Sequence, residues 1–302
     1  MSYEVLATGL EFPEGPVVFD DGSVIFVEIK KGALTRFWNG KTEVIAQLGG
    51  GPNGAALGPD GAMYVCNNGG MAFSDFGGLM IPGHQPDDYS GGRIERVNLS
   101  TGKVERLFDS VDGHPLIGPN DLVFDTGGGF YFSDHGKTHP RYRDYGGLFY
   151  VPKGAGSVSE LAHGYTSPNG VGLSPDGKTV YMADTMEGRL YAFDLIGPGQ
   201  IARASPFREA RVVGRVDGWT LFDSLAVEAD GTIAVATLVN PGFTRFDPAT
   251  GAHTLVPTDD LMTTNIAFGG PDMTDAYVTL SSTGRLAKMT WDKPGLRLNF
   301  QG

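Results

Sequence analysis

Six residues with oxygen-bearing side chains recur at one register along this chain. Glu14, Asn53, Asn169, Asp223 and Asn265 each stand seven residues before a turn aspartate, namely Asp21, Asp60, Asp176, Asp230 and Asp272. Asn120 stands seven before Gly127, which takes the turn position in its own unit. Carboxylates and amide carbonyls are hard donors that suit Ca2+, Mg2+ or Mn2+ better than Zn2+ or Cu2+. Glu14 and Asp223 together would neutralise a divalent cation, and the neutral Asn residues complete a shell without adding repulsion. Taken singly, an Asn or Asp at a strand start is an ordinary turn former that bonds local backbone. Six in register, one of them a Glu, point to a ring around a common space. Six side chains cannot all reach one ion across a wide channel, so the ligands are expected to be a subset that includes both carboxylates.

The elements that must position this ring are repeated hairpins. The segments 14–28 (EGPVVFDDGSVIFVE), 53–67 (NGAALGPDGAMYVCN), 120–134, 169–184, 223–237 and 265–279 each read as strand, tight Gly turn and returning strand. A further alternating run follows each unit, such as GGRIERVN or GRLYAFD, and often a fourth, more polar one, such as KTEVIAQL. Six such units predict an all-β six-bladed β-propeller with four-stranded antiparallel blades. A β-sandwich is the alternative, but it has no need of six aligned hairpins. No linker or composition break divides residues 1–302, which read as a single domain. The leading SYEVLATGL is strand-like and is expected to close the ring as the outer strand of the last blade.

In this topology the ring residues and the loops after each second strand share one face. The longest such loop, 67–91, carries Met71, Phe73, Phe76, Leu79, Met80 and Ile81, and is expected to be a lid over the pocket or an edge or dimer contact. The loop 134–146 carries His135, His139, Arg141, Tyr142 and Arg143, and Trp219 and Phe222 precede Asp223. Asn120, Asn53, Asn265, His135, Trp219, Phe222 and Phe73 are the expected substrate contacts. The histidines show no metal-site spacing, and the single cysteine, Cys66, ends a strand and reads as a packing residue. GGGPNG at 49–54 lacks the helix and Lys-Ser/Thr ending of a phosphate loop, and no G-x-S-x-G nucleophile elbow is present.

Composition fits this outline. Among 302 residues, 46 are Gly and 19 are Pro, which implies many tight turns. The formal net charge of −12 argues against nucleic acid or an anionic membrane as partner. One cysteine excludes an intrachain disulfide framework. The start has no basic n-region and no long apolar run, so a cytoplasmic monomer or homodimer acting on a small molecule is expected.

The segments FPEGPVV with Glu14, PNDLVFDTGGGFYFSD with Asn120, SPNGVGLSPDGKTVYMADT with Asn169 and FDSLAVEADG with Asp223 resemble the senescence-marker-protein/gluconolactonase family, to which regucalcin and bacterial sugar lactonases belong. The resemblance runs over roughly 10–291. It implies a six-bladed propeller with one divalent metal in the channel, held by Glu14, Asn169 and Asp223, with Asn120 on the metal or the substrate. Ca2+ is the first expectation, with Mg2+, Mn2+, Zn2+ and Fe2+ open. Many family members have Asp-Pro where this chain has Asp134-His135. Sugar lactonases often carry an Arg in the neighbourhood that here reads His114-Pro115-Leu116-Ile117-Gly118. The Met- and Phe-rich insertion favours a less polar substrate. The expected activity is metal-dependent lactone hydrolysis, with Asp223 as general base or, in second place, nucleophile, and His135 as the fallback base. The alternatives are phosphotriester or aryl ester hydrolysis, and a non-catalytic Ca2+- or ligand-binding propeller.

Overall fold

A computed structural model describes residues 3–154 and 156–301. Six four-stranded antiparallel sheets are arranged around a channel, and no helix occurs among the described residues. The innermost strands are Pro13–Val18, Pro52–Leu57, Pro119–Phe124, Pro168–Leu173, Leu221–Val227 and Thr263–Gly269. Each packs against the next, and the last packs against the first. Glu4–Ala7 pairs with Arg285–Thr290 and supplies the outer strand of the sixth blade, as the leading segment suggested.

The innermost strands of the first, third and fourth blades are buried at every position, because they are covered by blades on both sides. The outer strand Lys41–Gln47 is mostly exposed, which matches its polar sequence. Between each pair of adjacent blades lies one apolar cluster, and six clusters complete the circle. Val123, Tyr131, Val171 and Met182, for example, join the third and fourth blades. Cys66 is buried in the cluster between the second and third. Closure therefore combines side-chain packing at blade interfaces with the backbone pairing of Glu4–Ala7 in the sixth blade and a few hydrogen bonds between blades, such as Ser281 Oγ to Pro13 O.

Every innermost strand carries a β-bulge at the ring register. Between Glu14 and Val17 the strand spends three residues against two on its partner, and the same slip recurs at Pro52/Ala55, Pro119/Leu122, Pro168/Val171 and Phe222/Leu225. In the sixth blade it falls between Thr263 and Asn265. The extra residue bends the strand and re-aims its side chain, here toward the channel.

The residue after the ring position is Gly15, Gly54 or Gly170 in three blades, since neighbouring backbones touch there. A Cβ on Gly170 would stand 2.5 Å from Leu225 N and 2.6 Å from Ser224 Cα, both in the strand that carries Asp223. Backbone cannot swing aside as a flexible side chain can. Gly170→Ala is therefore expected to cost about 1–3 kcal/mol, the range of other overpacked sites. Urea unfolding measures it, and an unchanged midpoint would mean that the inner ring is looser than this geometry implies.

Candidate metal centre and substrate pocket

The six ring residues divide by what their polar atoms already do. Glu14 is 2% exposed, and its Oε2 accepts from Gly15 N at 2.6 Å and from Asn265 Nδ2 at 2.7 Å. Its Oε1 is buried without a partner, as is the Oδ1 of Asn120. Asn169 Nδ2 donates to Thr185 Oγ1 at 3.0 Å, which leaves its Oδ1 turned toward Ser224 and the fifth blade. Asn265 spends both ends locally, donating to Glu14 and accepting from Ile266 N at 2.8 Å. It positions Glu14. Asn53 and Asn120 line one small cavity above the ring.

The electrostatics call for a cation. Burial pushes the Glu14 carboxyl up to about 7 against the bonds from Asn265 and Gly15, and charge on Asp121 adds to the rise. Burial, then the charge of Glu14, raises Asp223 well above the ordinary carboxylate range. Asp121 is also held up to about 7 by burial, opposed by the N–H groups of Val171 and Leu122. Sequence reading passed over Asp121. It sits where three other blades have glycine, and that departure from the column was the available signal. No group of three or more His, Cys, Asp or Glu side chains converges among the described residues, so amide oxygens must complete any ion's shell. Two orphaned buried oxygens, two mutually repelling carboxylates and the Asn169 carbonyl, which accepts only a long 3.5 Å bond from Ser224 Oγ, fit a hard divalent cation.

The other expected contacts scatter. His135 lines the small cavity with Asn53 and Asn120. Arg143 Nη2 donates to its Nδ1 at 2.7 Å, and burial, then the charges of Arg143 and Lys137, pull the imidazole well below its usual range. Protonation at Nδ1 would meet the guanidinium, so the remaining ring nitrogen carries the hydrogen. This setting suits His135 to donating a hydrogen bond and makes it a weak candidate for a base. Phe222 is 0% exposed and packs edge-on against Phe246 at 5.7 Å in the wall between the fourth and fifth blades, away from the channel. Trp219 is 74% exposed on its loop.

The insertion folds as a hairpin, Phe73–Phe76 paired with Leu79–Pro82. It reaches from the second blade to the sixth, where Met80 N donates to Ser282 O at 2.8 Å. Phe73 lies 5.1 Å from Phe12, and Met71, Met80 and Ile81 pack with Ile29, Leu238 and Met262. Phe73 is thus a rivet of this cover, while Met71, Gly83 and His84 of the insertion border the small cavity. A larger cavity of about 280 Å3 lies toward the turn face, lined by apolar strand residues, by the buried Asp121 and Asn265, and by Leu296, Arg297 and Gln301. The smaller one is the cavity lined by Asn120, whose Oδ1 lacks a partner, together with Asn53 and His135.

The family model for the SMP-30/gluconolactonase/LRE-like region matches residues 12–282. The chain belongs to this family. Among curated relatives, the gluconolactonase of Zymomonas mobilis is 25% identical over 204 residues, which is 60% of this chain and 51% of that protein. Lactonase drp35 of Staphylococcus saprophyticus is 28% identical over 195 residues, 65% of this chain and 53% of that protein. The chain spans about half the length of the curated relatives it matches. Among solved structures, a calcium-binding protein, regucalcin, from Agrobacterium tumefaciens superposes with a TM-score of 0.75 at 21% identity, over 100% of this chain and 97% of that one. A gluconolactonase from Xanthomonas campestris gives a TM-score of 0.73 at 18% identity, over 95% and 88%. These likenesses show the propeller fold.

Proposed function

We propose that this protein is a divalent-cation-dependent lactone hydrolase, with Ca2+ as the first choice of ion. The observation that carries the reading is the pair of orphaned buried oxygens, on Glu14 and Asn120, in a ring that also holds Asp223 and Asn169. Similarity to gluconolactonase and lactonase relatives supports the same reading. Glu14, Asn169, Asp223 and Asn120 would hold the cation. When bound, it supplies a Lewis acid for an ester carbonyl and for the negative charge that develops on it.

The chain's own groups do the rest. Asp223 accepts the proton of the attacking water through a carboxylate oxygen. The water oxygen bonds to the carbonyl carbon, the ring C–O bond breaks, and the proton passes to the departing alkoxide. Asn265 keeps Glu14 in place, and Asn53 and His135, as donors, orient the substrate. The hairpin, packed on the propeller through Phe73, Met80 and Ile81, covers this end of the molecule and excludes water.

The test is a panel of sugar, aliphatic and aromatic lactones, assayed after chelation and again after adding Ca2+, Mg2+, Mn2+, Zn2+ or Fe2+. Chelation is expected to lower kcat/KM by about 100-fold or more, and one added ion to restore it. Tight Ca2+ binding without turnover of any lactone would mark the molecule as a binding propeller instead. Turnover confined to phosphotriesters or aryl esters would move the substrate class.

A further inference from the structure

The small cavity has a second polar wall, and it is cationic. Lys137 is 5% exposed and borders the cavity with Asn53, Asn120 and His135. Its Nζ donates to Asn68 Oδ1 at 3.0 Å and to Gly70 O at 2.5 Å, and lies 5.5 Å from the centre of the Tyr89 ring. Among the described residues no carboxylate lies within ion-pair distance of it. Nearby Asp134 is committed to the N–H groups of Ile117, Gly118 and Gly136 at 2.8, 2.7 and 2.9 Å. Asp144 accepts from His139 at 3.0 Å. A buried ammonium with only neutral acceptors is an incomplete arrangement, since buried charges are ordinarily paired.

A second donor faces the same space. Asn68 is 2% exposed and lines the cavity, and its Nδ2 is buried without a partner. Its Oδ1 accepts from Lys137 and from Gly70 N, so the unpaired end of the amide is the Nδ2 donor. Arg143 lies behind His135 and adds positive charge. The cavity measures about 40 Å3, more than the roughly 10–15 Å3 that one water needs.

We propose that Lys137 and Asn68 form an anion subsite beside the metal ring, and that the substrate is a lactone bearing a carboxylate. The inference rests on the lactone hydrolase reading and narrows it. The carboxylate accepts from Lys137 Nζ and Asn68 Nδ2, and this anchor turns the lactone carbonyl toward Asn120 and Asp223. Burial draws the Lys137 ammonium down to about 7, and an anion beside it would favour the charged form.

Two variants test this. Lys137→Gln removes the charge. Asn68→Asp keeps the acceptor for Lys137, removes the inward donor and places a negative charge in the subsite. Wild-type enzyme is assayed on D-glucaro-1,4-lactone and on its methyl ester. The acid is expected to have the higher kcat/KM, and each variant to lower the acid-to-ester ratio by about 10-fold or more. Equal kcat/KM for acid and ester in the wild type, or an unchanged ratio in both variants, overturns the subsite. Calorimetry with D-glucarate provides a readout apart from turnover. Binding by the wild type that weakens at least 10-fold in Asn68→Asp supports the subsite even if no lactone is hydrolysed, in which case only the hydrolase reading fails. Equal binding by wild type and both variants overturns it.

Discussion

Asp223→Asn is expected to lower kcat/KM on the preferred lactone by about 10^3-fold, the loss typical of a general base that also serves the metal. The substitution keeps shape and one oxygen donor, so it isolates charge and basicity. It removes one of the two negative ligands, and Ca2+ affinity is expected to weaken by about 100-fold or more, beyond what losing an outer partner of a ligand costs. The same variant should stabilise the chelated protein, because burial and the charge of Glu14 both oppose an ionised Asp223. A higher melting temperature without metal, together with lost turnover, distinguishes a functional carboxylate from a structural one. Asn265→Ala is the comparison. It should loosen Glu14, whose Oε2 it holds at 2.7 Å, and weaken Ca2+ binding while leaving the Asp223 base in place. An Asp223→Asn protein that folds, binds Ca2+ and retains full turnover would remove Asp223 from the mechanism.

How much of this was legible before folding depends on whether a feature is local. The six hairpins and the ring register were readable because turn chemistry repeats at one spacing, and the structure has all six blades. The bulges were not readable, because an extra residue is defined only against its partner strand. Phe222 was misplaced for a reason that strand geometry supplies. Neighbouring side chains on a strand face opposite ways, so a residue beside channel-facing Asp223 belongs in the blade wall, where Phe222 meets Phe246. In four other blades that position is proline, namely Pro13, Pro52, Pro119 and Pro168. Lys137 sits in a polar loop, HGKTH, and nothing in that run indicates burial. Its environment comes from Asn68, Gly70 and Tyr89, roughly fifty to seventy residues away in the chain, which only the folded ring brings together. The base role expected for His135 is weakened by the distant half of its own loop, where Arg143 donates to its Nδ1.

The chelated and Ca2+-loaded proteins are expected to show opposite trends of stability with pH. In the chelated protein Glu14 has its pKa raised from 4.5 to about 7, and Asp121 from 3.8 to about 7. A carboxyl raised on folding binds its proton more tightly in the native state. Its stabilisation is complete below the unfolded value and is lost as pH rises through the folded one. Stability of the chelated protein should therefore fall between about pH 4 and pH 7, by on the order of a few kcal/mol. Saturating Ca2+ on its proposed ligands is expected to hold Glu14 and Asp223 ionised and to place their folded values below the unfolded ones. The sign then reverses, and stability gained from the ion is lost as pH falls toward the unfolded range. His135 contributes a rise with pH up to its usual range, and Lys137 a rise above about 7, because folding depresses both. Those slopes are common to both conditions. The measurement is accordingly the difference between two urea-unfolding series, with chelator and with Ca2+, at intervals from pH 4.5 to 8. A difference that widens steeply with pH, and that shrinks in Glu14→Gln, places the ion on the buried carboxylates. A difference that is flat with pH would put any bound Ca2+ elsewhere on the molecule, and the ring would then need another explanation for two buried acids facing one channel.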